Sequence, residues 1–208
     1  MSGPRNRREV AAEATQRVIV TAATRLFLER GYTATSVGDV AREAGVAVQT
    51  IYNAVGSKRE LLSRALDFAA AGDEAPTPVP VFMHARAQRQ TDARDIVRQL
   101  VDFWRGGLAR TAPVFAVIRQ AAALDPEVAE LQRRRAEQRL KNYGQAAGRL
   151  AELDALRAGL SLDDAATTIF AVGHPDLYRF LVLDQGWQPE RWAAWAETTL
   201  TAALLREE

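Results

Sequence analysis

One short segment carries side chains that could bind the edges of DNA bases. In a helix over residues 48–55, Ile51 and Val55 face the core. The outer face then presents short polar or aromatic side chains, namely Val48, Gln49, Tyr52 and Asn53, with Thr50 at its edge. Gln and Asn amides form paired hydrogen bonds to adenine, Thr bonds in either sense, and Val contacts a thymine methyl. These residue types predict a helix that enters the major groove of DNA.

A second helix must precede this one and hold it in place. Its apolar stripe has helical spacing and consists of Val37, Val40, Ala41 and Ala44. Gly45 suits the left-handed backbone conformation that ends a helix, and Val46 after it can return to the core. Residues 36–55 therefore form a helix-turn-helix pattern, although ordinary packing of two amphipathic helices gives the same pattern.

The flanking segments favour the DNA-binding interpretation. Upstream, a helical stripe that ends at Gly31 could brace the pair, and it comprises Ile19, Ala22, Ala23, Leu26 and Phe27. Downstream, Ser57 and Glu60 form a capping box, so a fourth helix should begin at Lys58. That helix start, with Lys58 beside it, would attract a phosphate. Thr35 and Ser36 offer hydroxyl groups at the start of the second helix, one as its cap and both as donors to a phosphate.

The order and spacing of these residues resemble the TetR family of bacterial transcriptional regulators. The resemblance covers about the first seventy residues and rests on the stretches 31–37, 39–46, 50–52 and 57–62. It implies base or nearby backbone contacts by Val48, Gln49, Thr50 and Tyr52, and phosphate contacts by Thr35, Asn53 and Lys58. It also implies that the rest of the chain is a helical dimerisation and ligand-binding domain. The chain departs from the family pattern at Ala47, where a capping serine is frequent, and at Gly38 and Val55.

Length and composition predict two domains in an all-α protein. The chain has 208 residues and 48% hydrophobic content, which suffices for a second and larger core. We predict a DNA-binding domain over residues 1–60, a connecting helix and linker over 61–80, and a dimerisation and ligand-binding domain over 81–208. Three prolines and a glycine within 71–80 cannot continue a helix. Further helices are expected near 92–109, 113–123, 126–153, 162–183 and 189–206.

The charge distribution is compatible with a nucleic-acid partner despite a net charge of only +1. Residues 1–60 hold nine Lys or Arg against six Asp or Glu, and the tail Arg5-Asn6-Arg7-Arg8 could lie along DNA or remain a solvated tail. The arginines of 126–153 alternate with glutamates and predict a solvated face rather than a second DNA surface.

No cysteine and no membrane-spanning apolar run are present, so we expect a cytoplasmic protein that does not bind membranes.

The last two predicted helices favour a homodimer. Trp187, Trp192 and Trp195 fall within nine residues, and such aromatic density usually requires burial. The predicted dimer surface consists of Leu177, Phe180, Leu181, Trp192, Trp195, Leu200 and Leu204. Closing the core of one protomer is the alternative role for these residues. A dimer is favoured because a helix-turn-helix gains affinity from two half-sites, and because 175–181 followed by 186–187 resembles the dimerising end of TetR regulators.

An effector site is predicted among aromatic residues of the C-terminal domain. Its candidate residues are Phe103, Trp104, Phe115, Tyr143, Phe170, His174 and Tyr178. Pro175 should interrupt the 162–183 helix and free a carbonyl group that a ligand or water could bind, although a purely structural kink explains it as well.

These observations predict a repressor that an unknown small molecule releases from its double-stranded DNA operator. A DNA-binding dimer without a ligand, controlled by abundance or by a protein partner, is the alternative. An enzyme is a remote alternative, because His84 and His174 are the only histidines and no catalytic or phosphate-binding motif occurs. We expect no catalytic residue, no metal site and no cofactor.

Overall fold

A computed structural model describes residues 7–72 and 91–207, and these residues are almost entirely helical. The helices are α1 (Arg7–Arg30), α2 (Val37–Ala44), α3 (Val48–Ala54), α4 (Lys58–Ala71), α5 (Ala93–Ala122), α6 (Pro126–Glu152), α7 (Leu162–Val172), α8 (Pro175–Tyr178) and α9 (Pro189–Leu204). A π-helical segment, Arg179–Asp184, follows α8 directly. The described residues thus confirm the predicted all-α class.

The chain divides into two compact units. Among the described residues, the N-terminal unit comprises 7–69 and 113–132, and the C-terminal unit comprises 70–72, 91–112 and 133–207. Helices α5 and α6 therefore each contribute residues to both units. The sequence-based domain limits at 60 and 80 remain a prediction.

The core of the N-terminal unit contains the apolar stripe predicted for α1. Ile19, Ala23, Leu26 and Phe27 are buried there, together with side chains of α2, α3, α4, α5 and α6. Ile51 is the residue that α3 buries completely. This burial fixes which face of α3 is left outside.

The core of the C-terminal unit is built from the first part of α5, the second part of α6, and α7 to α9. It includes the large buried side chains of Trp104, Leu150, Tyr178 and Trp192. An antiparallel bridge between Leu156 and Leu205 ties the chain after α6 to the end of α9. The end of the last helix is thereby fixed to the unit's core.

Pro113 does not separate two helices. The sequence predicted helices at 92–109 and 113–123, whereas α5 runs without a break from Ala93 to Ala122 with Pro113 inside it. Proline removes the hydrogen bond to the carbonyl four residues earlier, but its fixed φ is compatible with a helix. Burial on both sides of the proline, at Ala112, Val114 and Val117, offsets the lost bond.

The predicted interruption at His174-Pro175 is confirmed. Helix α7 ends at Val172, and α8 begins at Pro175 with His174 as its N-cap residue. The chain then continues as the π-helical segment rather than as a regular α-helix.

Some predictions fall outside the described residues. These concern Arg5, Asn6, the side chains of Arg7 and Arg8, most of the linker, and His84. Within the described ranges, no helix is both long and apolar enough to cross a bilayer. No group of three or more potential metal ligands occurs in the same part of the chain.

Candidate nucleic-acid interface

Helix α2 begins with the predicted type of cap. Ser36 has an extended backbone, and its Oγ accepts a hydrogen bond from the Asp39 N–H at 3.0 Å. The Asp39 carboxylate accepts in return from the Ser36 N–H at 2.9 Å and from the Ser36 hydroxyl at 2.5 Å. These bonds lower the pKa of Asp39 to about 2, with the Ser36 hydroxyl as the largest cause. The Ser36 hydroxyl is thus already used within the protein.

The turn between α2 and α3 has the predicted geometry. Gly45 has φ 66° and ψ 32°, which is the left-handed region where glycine carries no steric penalty. The Val46 N–H donates to the Ala41 carbonyl at 3.0 Å, which closes the end of α2. Two contacts from α1 brace the pair, because Arg25 forms an ion pair with Glu43 and the Gln16 amide donates to the Ala54 carbonyl at 3.2 Å.

The outer face of α3 is open to solvent. Val48 is 42% exposed and Tyr52 is 50% exposed, although both are large apolar side chains. Gln49 and Asn53 are exposed as well, and the Gln49 Nε2 donates to the Asn53 Oδ1 at 3.0 Å. Thr50 is partly exposed. The structure brings these five predicted residues to one short helix.

Helix α3 starts without a side-chain cap. Ala47 occupies the N-cap position with φ −70° and ψ 149°, and it makes no side-chain hydrogen bond to the helix. Its backbone carbonyl accepts the Thr50 N–H at 2.9 Å. The departure from the family pattern at this position is therefore a missing cap.

Thr35 does not lie where a phosphate contact needs it. Its side chain is 1% exposed, and its hydroxyl faces the Gly31 carbonyl at 2.8 Å and the Leu26 carbonyl at 3.2 Å. The hydroxyl therefore joins the loop after α1 to that helix. The prediction that Thr35 donates to a phosphate is wrong for its side chain, because the donor is buried and already engaged.

Lys58 is held in a defined position at the start of α4. Its ammonium group lies 4.2 Å from the centre of the Tyr32 ring and 3.5 Å from the Thr33 carbonyl oxygen. Partial burial lowers the pKa of Lys58, and the negative charge of Asp125 opposes that shift. The capping box of Ser57 and Glu60 orders the same helix start, since the Ser57 N–H donates to the Glu60 carboxylate at 2.6 Å.

Tyr32 and Asp125 complete this arrangement, and the sequence analysis did not single them out. The Tyr32 hydroxyl is hydrogen-bonded to Asp125 and its pKa is raised to about 12, first by burial and then by Asp125 and Glu127. The Asp125 carboxylate also accepts the Glu127 N–H at 2.9 Å and thereby caps α6. An Asp directly before Pro126 was the available signal, because the pair is typical of a helix start.

Five of the predicted effector residues form an aromatic cluster with Trp192. We call Trp104, Tyr143, Phe170, His174, Tyr178 and Trp192 the aromatic cluster, and its neighbouring rings meet edge to face with centroids 5.0 to 6.3 Å apart. The Trp104 indole N–H donates to the Tyr143 hydroxyl at 3.2 Å. Within this cluster Trp104 and Tyr178 are fully buried core residues, and Phe103 is partly buried against the same core.

Phe115 does not belong with the other effector candidates. It is partly buried against the core of the N-terminal unit, whereas the aromatic cluster lies in the C-terminal unit. Helical periodicity placed Phe115 on a predicted helix next to Phe103 and Trp104, but it could not show that one helix supplies two cores.

Arg139 is a residue of the aromatic region that sequence reasoning missed. The charge pattern predicted a solvated face for the arginines of α6, yet the Arg139 guanidinium lies 4.8 Å from the centre of the Phe170 ring. Burial lowers its pKa, while Tyr143 and Asp176 oppose the shift. The spacing of four residues between Arg139 and Tyr143 was the available signal, because it puts both on one helix face.

Three of the residues predicted for the dimer surface lie inside the protomer. Trp192, Leu200 and Leu204 have no exposed area and belong to the core of the C-terminal unit. They close the monomer core, so their assignment to a dimer interface is wrong. Phe180 is 49% exposed, and Leu177, Leu181 and Trp195 are partly exposed.

Comparison with known proteins agrees with this arrangement. Residues 19–65 match the family model described as bacterial regulatory proteins, tetR family. No curated protein matches the chain.

Solved structures of similar fold cover nearly the whole chain. NalD from Pseudomonas aeruginosa, the secondary repressor of the MexAB-OprM multidrug efflux pump, is 20% identical with a TM-score of 0.75, over 95% of this chain and 100% of that one. A transcriptional regulator from Saccharomonospora viridis in complex with choline is 19% identical with a TM-score of 0.70, over 94% and 100%. FadR from Bacillus subtilis in complex with stearoyl-CoA is 17% identical with a TM-score of 0.68, over 88% and 96%.

Proposed function

Because the chain belongs to the TetR family of bacterial regulatory proteins through residues 19–65, we propose that it is a repressor which a small molecule releases from its operator. The observation that carries the DNA-binding part is the outer face of α3. Ile51 is buried beneath it, while Val48, Gln49, Tyr52 and Asn53 face solvent on a helix of 7 residues. A short helix with such a face fits the major groove.

Two groups beside α3 are suited to the DNA backbone. Lys58 presents a positive charge at the start of α4, and this helix start adds a positive helix dipole. The exposed start of α2 at Ser36 contributes its positive helix dipole, because the Ser36 hydroxyl and the Ser36 N–H are both bonded to Asp39. In this proposal phosphate contacts fix the position of α3 and its side chains select the bases.

A homodimer would supply two such helices. The remaining dimer candidates are Leu177, Phe180, Leu181 and Trp195, and the neighbouring Leu183 is 55% exposed. Exposed apolar side chains concentrated at α8, the π-helical segment and α9 are typical of a surface that a partner covers. Two copies related by a dyad would place their two α3 helices about 34–36 Å apart, or at a multiple of that spacing.

The effector part of the proposal concerns the aromatic cluster. Trp192 has a buried indole N–H without a hydrogen-bond acceptor among the described residues, and a ligand or a water would supply one. Similar folds have been solved with choline and with stearoyl-CoA bound. A ligand that binds one conformation of the C-terminal unit more tightly than another would change the spacing between the two α3 helices of the dimer. The change in spacing would weaken DNA binding.

One observation favours the alternative of a dimer without a ligand. Side chains fill the inner part of the aromatic cluster, where a Cβ atom at Gly173 would clash with the Trp104 ring. A core closed in this way leaves little room for an effector next to Trp104. Ligand screening separates the two functions, because the alternative predicts an operator complex that no small molecule dissociates.

The test is selection of bound duplexes from a random library with the purified protein, followed by sedimentation of the protein at micromolar concentration. We expect one enriched sequence with two inverted half-sites and a dimer in solution. Phe180→Asp should yield a folded monomer with much weaker operator binding, since the charge would face a desolvated apolar surface. A monomeric wild type, or a library without enrichment, would contradict the proposal.

A further inference from the structure

The face of α3 that would meet the bases carries no positive charge. Between Arg42 on α2 and Lys58 on α4 the chain has no Arg or Lys at all. Arginine or lysine donating two hydrogen bonds to guanine is the commonest specific contact in the major groove. On the basis of the proposed function, we propose that α3 reads A·T pairs, through adenine edges and thymine methyl groups, and makes no guanine contact.

The hydrogen bond between Gln49 and Asn53 supports this inference. It joins the two amides at 3.0 Å and uses the oxygen of one and an N–H of the other. What remains is the oxygen of the donating amide, the second N–H of that amide and the NH₂ of the accepting amide. Exchanging the oxygen and nitrogen ends of both amides gives the same remainder. The pair therefore offers a donor and an acceptor together.

Adenine matches this pair of groups and guanine does not. In the major groove adenine presents a donor at N6 and an acceptor at N7, whereas guanine presents two acceptors, N7 and O6. A guanine beneath the pair would leave the free amide oxygen desolvated without a donor, which is unfavourable. Cytosine could satisfy that oxygen through N4, but a G·C pair has no methyl group in the groove.

The two apolar side chains on the same face require such a methyl group. Val48 and Tyr52 directly precede Gln49 and Asn53 on α3 and are 42% and 50% exposed. The thymine methyl is the apolar group of the major groove, so A·T pairs alone provide them with a dry contact. Hydrogen-bonding groups and apolar groups on α3 therefore favour the same base pairs.

The cations nearest to α3 along the chain lie on other helices and contact side chains outside α3. Arg42 pairs with the Asp39 carboxylate at 3.0 Å on α2. Lys58 lies over the Tyr32 ring at the start of α4. Neither side chain is part of the outer face of α3. Base selection by that face therefore depends on Val48, Gln49 and their neighbours on α3.

A first experiment determines which positions α3 reads. Random-library selection is run with the wild type, with Gln49→Ala, and with Gln138→Ala as a matched control. Gln138 forms the same exposed bond to an Asn four residues later, Asn142, at 2.9 Å on α6. Positions whose enrichment disappears only in Gln49→Ala lie beneath α3, and we expect A·T pairs there.

A second experiment uses the wild-type protein and modified DNA. At those positions, 7-deazaadenine removes the N7 acceptor and uracil removes the thymine methyl, and each should weaken binding about five- to tenfold. The same replacements at positions kept by Gln49→Ala should have little effect. Gln49→Arg should in turn shift selection towards guanine, because Arg supplies two donors.

The outcomes distinguish this inference from the function on which it rests. Enrichment of guanine at the positions that Gln49 controls would overturn the inference and leave the proposed function intact. Unchanged affinity for both modified bases would overturn it as well. A library without any enriched sequence would overturn the proposed function itself.

Discussion

In the helix-turn-helix, each short helix is held by local hydrogen bonds and a few buried aliphatic side chains, whereas the aromatic cluster is held by rings from five separate helices. Ser36 and Gly45 fix α2 through bonds to residues at most four positions away. Trp104 and Trp192, by contrast, are 88 positions apart in the numbering and meet at 6.3 Å. The first region keeps polar groups outside and the second buries aromatic ones. Substitution of the outer side chains of the helix-turn-helix should therefore mainly affect DNA binding, and substitution in the aromatic cluster should mainly affect stability.

The largest effect is expected for Trp192→Ala. The side chain has no exposed area and contacts both Trp104 and Tyr178, so its removal should lower the free energy of unfolding by about 3–5 kcal/mol. Denaturant unfolding followed by circular dichroism measures the loss. Trp187→Ala is the matched control, because Trp187 is only partly buried. Equal losses in the two variants would contradict the burial that distinguishes them.

Lys58→Ala should act on DNA binding instead of stability. Loss of one charged contact to a phosphate should weaken every duplex alike by about 1.5–3 kcal/mol. The slope of log affinity against log salt should fall by about one. Lys141, the other lysine of the chain, is exposed on α6, and Lys141→Ala should leave that slope unchanged. A loss confined to some sequences would argue for a base contact instead.

The two serine caps allow a direct comparison of the regions. Ser36 caps α2, and Ser161 caps α7 by accepting the Asp164 N–H at 3.1 Å. Replacing either by Ala should lower the free energy of unfolding by about 1 kcal/mol. Operator affinity, measured by fluorescence anisotropy, should fall only in Ser36→Ala. If both variants lost operator affinity equally, the effect would be one of global stability.

Ala47→Ser should stabilise the protein by about 0.5–1 kcal/mol. The backbone at Ala47 is already extended as an N-cap requires, so a serine hydroxyl could accept an N–H of the first turn of α3. A thermal melt should show a higher midpoint. Ala194→Ser, at an exposed position inside α9, provides the control and should give no gain. An unchanged midpoint in Ala47→Ser would mean that the turn positions the new hydroxyl elsewhere.

The smallest effect is expected on the pH dependence of the free energy of unfolding in acid. The Asp39 pKa of about 2 lies below its ordinary value of 3.8, so the ionised form is favoured in the folded state. Its contribution is complete above pH 4 and is lost as the pH falls towards 2. Asp39→Asn should remove this part of the pH dependence of unfolding. If the free energy of unfolding of Asp39→Asn depended on pH in the same way as that of the wild type, other carboxylates would cause the dependence.

Local signals in the sequence predicted the parts of the fold that depend on neighbours along the chain. The caps at Ser36 and Ser57, the left-handed Gly45 and the inward side of Ile51 all follow from spacing within four residues. The role of Thr35 could not be predicted from local spacing, because its hydroxyl donates to the Leu26 carbonyl, nine positions earlier. A pattern of residue types contains no information on such a bond until the loop is folded.

Apolar patterns could not separate a protomer's core from a surface that a second copy covers. Trp192 and Leu200 have the spacing of an interface helix, yet they are buried within one chain, while Phe180 remains exposed. Burial of the same apolar side chains is favourable in the core of one protomer and in an interface between two protomers, so composition alone does not distinguish the two. Pro113 is a similar case, since buried side chains on both sides of it keep α5 continuous.

The stacking of Lys58 on Tyr32 has a consequence for the conformational entropy of binding. A free lysine side chain samples many rotamers and loses up to about 1.5–2 kcal/mol when it is fixed. Here the Tyr32 ring at 4.2 Å and the Thr33 carbonyl restrict the side chain as soon as the protein folds. Most of that loss then belongs to folding rather than to association. A phosphate arriving at α4 meets a cation whose freedom has already been reduced, so more of the electrostatic attraction remains as affinity.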